Sequence, residues 1–294
     1  MYDLLRPHVT NVLVCDPRKN ALLKVGNKSD RIDARKLAEL LRSNLLPPVY
    51  HGENGVRTLK ELSRSYLAMS GDLARVMTRL KAVYRSWAIP CAGKQVYARR
   101  YRAQWLGKIM ETGVRRWAEF YYQQLDELSS LRQQVRRELL AESGKHRASK
   151  LLCQIPSIGP IRAVLLIAII QTPHRFRTKR QLWAYGGLGI ETRDTQQCQS
   201  SLCSRATATV EVTVSLRSLN RNHNHELKNI FKGAALIAAT KAGPFQEFYA
   251  ALVAKGMRAE MARLTLARKI AAITLIVWKK GVCFDAQHLK PQTA

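Results

Sequence analysis

The sequence predicts a mainly α-helical protein with a small α/β remnant at its start. Three observations predict it. The first fifty residues hold one short β-branched run and one helix; a long seam of apolar residues spaced alternately by three and four follows; and the last half places apolar helices between turns rich in Gly and Pro. Boundaries are expected at 1–50, 51–145 and 146–294. With 294 residues and 46% apolar content, the chain is long enough to bury one or two cores.

Val9 to Cys15 reads as a buried strand ended by Asp16-Pro17, and Asn27 to Ser43 as a helix stopped ahead of Pro47-Pro48. One strand and one helix do not close a domain, so this part reads as the tail end of an α/β unit whose other strands are missing. Asp30 and Asp33 stand three apart at the helix start and project two carboxylates from one face, a common way to hold a divalent metal. Lys28, Arg31, Arg35 and Lys36 flank them, so the acids can lie beside a polyanion. The competing account makes Asp30 a helix cap and leaves Asp33 to favour the positive end of the helix dipole.

From Leu59 through Leu62, Tyr66, Met69, Leu73, Val76, Leu80, Val83 and Trp87 the spacing is that of a coiled-coil seam. A weaker seam runs through Tyr121, Leu125, Leu128, Val135 and Leu139, with Arg132 at one core-facing place. Together they predict either an antiparallel helical arm or a pair of dimerising helices. Between them Tyr97, Tyr101, Trp105 and Trp117 alternate with Arg99, Arg100, Arg102, Lys108, Arg115 and Arg116. Such a mixture can stack on bases and grip phosphates, or it can be the two faces of a packed helix.

After Lys145 comes Ile155-Pro156-Ser157-Ile158-Gly159-Pro160-Ile161-Arg162, which resembles the turn of a helix-hairpin-helix module. Ile158, Gly159 and Arg162 are therefore candidate phosphate contacts at a helix N-terminus, against the alternative of a plain tight turn. Arg177, Lys179 and Arg180 form the next basic cluster. Ala184-Tyr185-Gly186-Gly187-Leu188 then makes a glycine turn that lacks the Gly-Lys-Ser/Thr of an ATP-binding loop. Arg221 and Lys228 flank Asn222-His223-Asn224-His225, where capping and phosphate contact are expected, since two histidines that close should diverge from a helix start rather than share a metal. Ile230–Thr240 and Met261–Lys280 complete an α-rich domain.

Lys and Arg number 49 against 21 Asp and Glu, a net charge of +28 spread along the whole chain. Nucleic acid is the expected partner. No apolar run reaches the length of a membrane span, the N-terminus lacks a secretion signal, and the six cysteines show no zinc-ligand spacing, so a cytoplasmic protein with free thiols is expected.

The Asn-Lys-x-Asp-x-x-Asp-Ala-x-x-Leu-Ala segment, the arm, the Ile-Pro-x-Ile-Gly-Pro hairpin, the Ala-Tyr-Gly-Gly-Leu turn and the basic C-terminal helices stand in an order that resembles the DEDD transposases of bacterial insertion sequences. These are the insertion-sequence one-ten family, related to the pilin-gene invertase. The resemblance implies a resolvase-like, RNase H-type first domain, truncated here, in which four acids hold divalent metal such as Mg²⁺. The last two acids map to Asp30 and Asp33, and the first two would lie upstream of Met1. It also implies a C-terminal transposase domain with a serine nucleophile, which falls near Thr195, with Ser200 or Ser201 as alternatives. Gln196 to Ser218, rich in Ser, Thr, Cys and Gln, departs from the family's usual loop, as a local frameshift would make it do. DNA cleavage and rejoining, impaired by the missing acids, is the implied activity; a remnant that binds or dimerises without chemistry is the alternative. Implied partners are element-end and target DNA, a structured guide RNA, and a second copy through the arm.

Overall fold

In the computed structural model the described residues are 2–16, 29–46, 48–50, 54–200, 209–219 and 222–289; for 191–200 and 209–217 only the backbone is described. They divide into two units, one up to Gly55 and the other from Val56 onward.

In the first unit, a short helix α1 (Tyr2–Leu5) and a 3-10 turn (Arg6–His8) precede an extended segment. The strand expected at Val9–Cys15 does not form. The segment makes a single antiparallel bridge, Cys15 to Pro48, with the Val49 N–H donating to the Val14 carbonyl at 2.7 Å. Proline at the partner position carries no N–H, so a regular ladder has nothing to continue on there. Helix α2 (Asp30–Arg42) follows, with Ser29 rather than Asp30 as its cap: the Ser29 hydroxyl accepts from the Ile32 N–H at 3.3 Å. Leu40 is the buried residue of this helix.

The second unit begins with the arm. Helix α3 (Arg57–Ser86) and helix α5 (Thr112–Ser143) pack along their length, and a connector carrying the short helix α4 (Arg102–Leu106) joins them. Tyr84 near the end of α3 meets Tyr122 near the start of α5, hydroxyl to hydroxyl at 3.0 Å, so the pair is antiparallel and both seams close within one chain. Leu59, Leu73, Val76, Leu80 and Val83 are buried as the seam requires, but α3 ends at Ser86 and Trp87 is exposed. Of the aromatic residues in the connector, Trp105 is buried, edge-on to Tyr84 at 5.4 Å, and Tyr97 donates its hydroxyl to the Met77 carbonyl. The packed-face account holds for these two, and among the four aromatics of that stretch only Trp117 is mostly exposed.

A second core fills the C-terminal half. Helix α6 (Arg147–Leu152) turns through Ile155–Gly159 into α7 (Pro160–Ile170), which is apolar on nearly every side and buried accordingly. Helix α8 (Lys179–Tyr185) leads to a two-stranded antiparallel ribbon, β1 (Ile190–Ser200) and β2 (Thr209–Leu219), with Ile190 opposite Leu219 and Ser200 opposite Thr209. Of the stretch read as an aberrant loop, Gln196–Ser200 and Thr209–Ser218 are thus paired backbone, and 201–208 lie outside the described residues; the Thr and Val residues of β2 suit a strand once a partner is opposite. Helices α9 (His225–Thr240), α10 (Pro244–Ala254) and α11 (Ala259–Lys280) finish the unit, α10 being the element the apolar pattern left unmarked. Leu59 and Leu139 at the base of the arm belong to this same core, so arm and C-terminal helices share one apolar interior.

Candidate nucleic-acid interface

The acid pair occupies the first turn of α2. Asp30 is exposed, Asp33 is half-buried, and the Asp33 N–H donates to the Ser29 carbonyl at 2.9 Å. Three residues apart on a helix, the two carboxylates share a face. Asp33 Oδ1 is buried without a hydrogen-bond partner, a hard oxygen donor of the kind a divalent cation takes. The number of donors falls short: among the described residues no group of three His, Cys, Asp or Glu comes together, and two carboxylates do not make an octahedral cage. Arg31 is exposed beside the pair, while Lys28 lies outside the described residues.

The hairpin turn is tightly built. Ser157 adopts φ 72°, the Ile158 N–H donates to the Ile155 carbonyl at 3.0 Å, and Ile155 and Ile158 are both buried in the core. Ile158 therefore has no side chain or backbone donor to offer a phosphate; the expectation fails there because the residue anchors the turn. Gly159 is different. It is exposed at the N-cap of α7, no side chain caps the helix, and Pro160 at the first position removes only a donor that would have been unpaired anyway. Arg162 works inward: its guanidinium donates to the Ser157 carbonyl at 3.1 Å and lies against Gly233 of α9, where burial lowers its pKa. It braces the turn from behind.

Arg177, Lys179 and Arg180 are all exposed around the start of α8. Thr178 caps that helix by accepting from the Gln181 N–H at 3.4 Å, and Gln181 returns by accepting from the Arg177 N–H at 2.7 Å, a reciprocal cap that fixes the entry of the basic segment. Lys279 donates to the Phe176 carbonyl at 2.5 Å and ties the same corner to α11.

The glycine turn is clamped from two sides. Leu188 and Gly189 donate back to the Trp183 carbonyl, the Trp183 indole donates to the Arg268 carbonyl at 2.9 Å, and Arg268 Nε donates to the Leu188 carbonyl at 2.6 Å. Gly187 has φ +64°, and any Cβ there would collide with the His223 ring. The rings of His223 and His225 lie 4.4 Å apart, so the two histidines converge where divergence was expected. The reason is that Asn224, not a histidine, caps α9, and His223 sits in the bend before it. No third ligand joins them among the described residues.

Thr195 lies in β1 opposite Val214, and Ser200 ends β1 opposite Thr209, which fixes their backbones in the ribbon. Arg221 lies outside the described residues. Lys228 lines a cleft of about 580 Å³ between α9 and α11 together with Lys232 and Arg263. Sequence reading missed Lys232 as a partner, although Lys228 and Lys232 stand at the i, i+4 spacing that places two cations on one helical face.

Among the described residues no helix is long and apolar enough to cross a membrane. Cys91, Cys153 and Cys283 are free thiols. Residues 1–87 match a family described as "Transposase", of the DEDD kind, and residues 149–210 match one described as "Transposase IS116/IS110/IS902 family". The second match takes in the hairpin, the glycine turn and all of β1. No curated protein matches the chain.

Proposed function

The chain belongs to the IS110-type DEDD transposases of insertion sequences, and from that premise we propose that it engages element-end and target DNA through phosphate contacts and takes part in strand cleavage and rejoining. The observation that carries this reading is the pair of family matches, in order, the first taking in α3 of the arm and the second beginning beyond α5, in a chain of net charge +28. The contacts proposed are Arg31 on α2, the open N-terminus of α7 at Gly159, the exposed Arg177, Lys179 and Arg180, and Lys228 with its neighbours. Helix N-termini and exposed guanidinium groups bind phosphate without reading sequence, which suits a protein that must hold several DNA segments. A structured RNA is a further partner of the same chemistry, and self-association through the outer faces of the arm is part of the reading.

Family membership points to a divalent cation, with Mg²⁺ the candidate, and Asp30 and Asp33 are the two acids proposed for it. The hydroxyl proposed to attack DNA is that of Thr195 or Ser200, both within the matched region. A second reading, in which the chain binds nucleic acid without cutting it, is favoured by the lack of a third ligand near the acid pair among the described residues. The discriminating experiment is Mg²⁺-dependent nicking of element-end DNA by the purified chain. Nicking that is lost in Asp30→Ala is the result expected of the first reading; retained binding without nicking would overturn it in favour of the second.

A further inference from the structure

The arm carries a cleft of about 560 Å³, set where the connector crosses between α3 and α5. Its floor is apolar, formed by Leu73 and Leu125 with Tyr97 beside them, and its walls carry three arginines, Arg99, Arg102 and Arg132, with one carboxylate, Asp126. Arg102 and Arg99 both reach Asp126, at 2.6 and 3.1 Å, so one carboxylate is shared by two guanidinium groups. Arg132 makes no ion pair among the described residues, and its Nε is buried with no acceptor; the Nε of Arg102 is in the same condition. Arg132 interrupts the seam of α5 at a core-facing place, where an apolar residue would be the stable choice. A buried cation donor without an acceptor is costly, and the cost is relieved when an anion enters.

We propose that this cleft takes one nucleotide of an unpaired nucleic-acid segment, its phosphate on Arg132 and its base over Tyr97 and the apolar floor. The volume suits a small ligand held by a few polar groups over an apolar surface. A base paired in a duplex reaches such a floor only by flipping out, at a cost of about a few kcal/mol, whereas a single strand offers base and phosphate together. The inference deepens the proposed function, on which it rests for the partner's class, and gives the arm a binding role in addition to its packing.

The test compares the full-length chain with Arg132→Gln, with Ser129→Glu, which adds a carboxylate at the exposed wall of the cleft, and with Arg136→Gln, an exposed control outside it. Binding of labelled oligothymidylate, oligouridylate and a duplex of equal length is measured across a salt series, with folding checked by circular dichroism. Arg132→Gln and Ser129→Glu should each weaken single-strand binding by about tenfold or more, as loss of a stacking and phosphate subsite does. Arg132→Gln should also make the salt slope shallower by about 0.7, the value of one single-strand phosphate contact. Duplex binding, and both kinds of binding by Arg136→Gln, should stay within about twofold of the unaltered chain, the range left when no subsite is lost. Should Arg132→Gln not fold, Ser129→Glu decides alone. Losses equal to those of Arg136→Gln, or equal on duplex and single strand, overturn the inference while leaving the proposed function standing. If the unaltered chain binds no nucleic acid at all, both fall together. Preference between the two single strands tells whether the segment is DNA or RNA.

Discussion

Gly187 and Gly159 show how two glycines in similar-looking turns carry different duties. Gly187 combines φ +64° with a ring of His223 filling the space a Cβ would need, so Gly187→Ala is expected to cost about 2 kcal/mol or more, read as a lower thermal midpoint. Gly159 has an ordinary negative φ and nothing within 4 Å of a Cβ, so Gly159→Ala should change stability by less than about 1 kcal/mol. If Gly159 marks a phosphate seat, that same change should weaken DNA binding while the fold persists. The sequence could list both glycines; it could not say which is braced from within, because the bracing residue His223 is thirty-six positions away.

At the scale of the element, the arm is held by its apolar seam and by polar locks near its far end. Leu80 is fully buried between α3 and α5, so Leu80→Ala should cost about 2–5 kcal/mol, whereas Leu131→Ala, at a site 44% exposed, should be nearly neutral; chemical denaturation checks both. Arg102 donates to the Asp126 carboxylate at 2.7 and 2.6 Å, and that pairing holds the Asp126 pKa below the usual carboxylate value. A depressed carboxylate stabilises the fold fully above its unfolded pKa, about 4, and the stabilisation is lost as pH falls through the lower folded value. Arm stability should therefore decline below about pH 4 by about 1 kcal/mol from this source. Asp126→Asn should flatten that part of the pH profile. Because the seam is closed inside one chain, any pairing of two copies must use the faces that α3 and α5 leave exposed. Periodicity marked the seam but gave no partner for it, since an intrachain and an interchain partner bury the same residues.

Across the whole molecule, charge governs the encounter with nucleic acid. With 49 basic residues against 21 acidic ones, and the basic residues of α8 and α9 set around an apolar core, affinity for duplex DNA should fall linearly in log–log plots as salt rises. Each phosphate contact contributes a slope of about 0.9, so a salt series counts the contacts made. Affinity that ignores salt would remove phosphate as the principal ligand.

The sequence by itself determined the family, the helical class, the two seams of the arm and the net charge, because each is written in residue order and local spacing. It also placed Asp30 and Asp33 on one helical turn, since residues three apart on a helix need no tertiary contact to share a face. Tertiary structure alone decided which basic residues face outward and which brace the fold. Arg162 and Ile158 turn into the hairpin, Arg132 opens onto a cleft, and Lys228 on α9 finds Arg263 on α11. It also paired the two ends of an unfamiliar polar stretch, Gln196–Ser200 and Thr209–Ser218, and withheld a strand from Val9–Cys15. The physical reason is the same in each case: a strand, a buried cation or a cleft exists only when residues distant in the chain supply its other half.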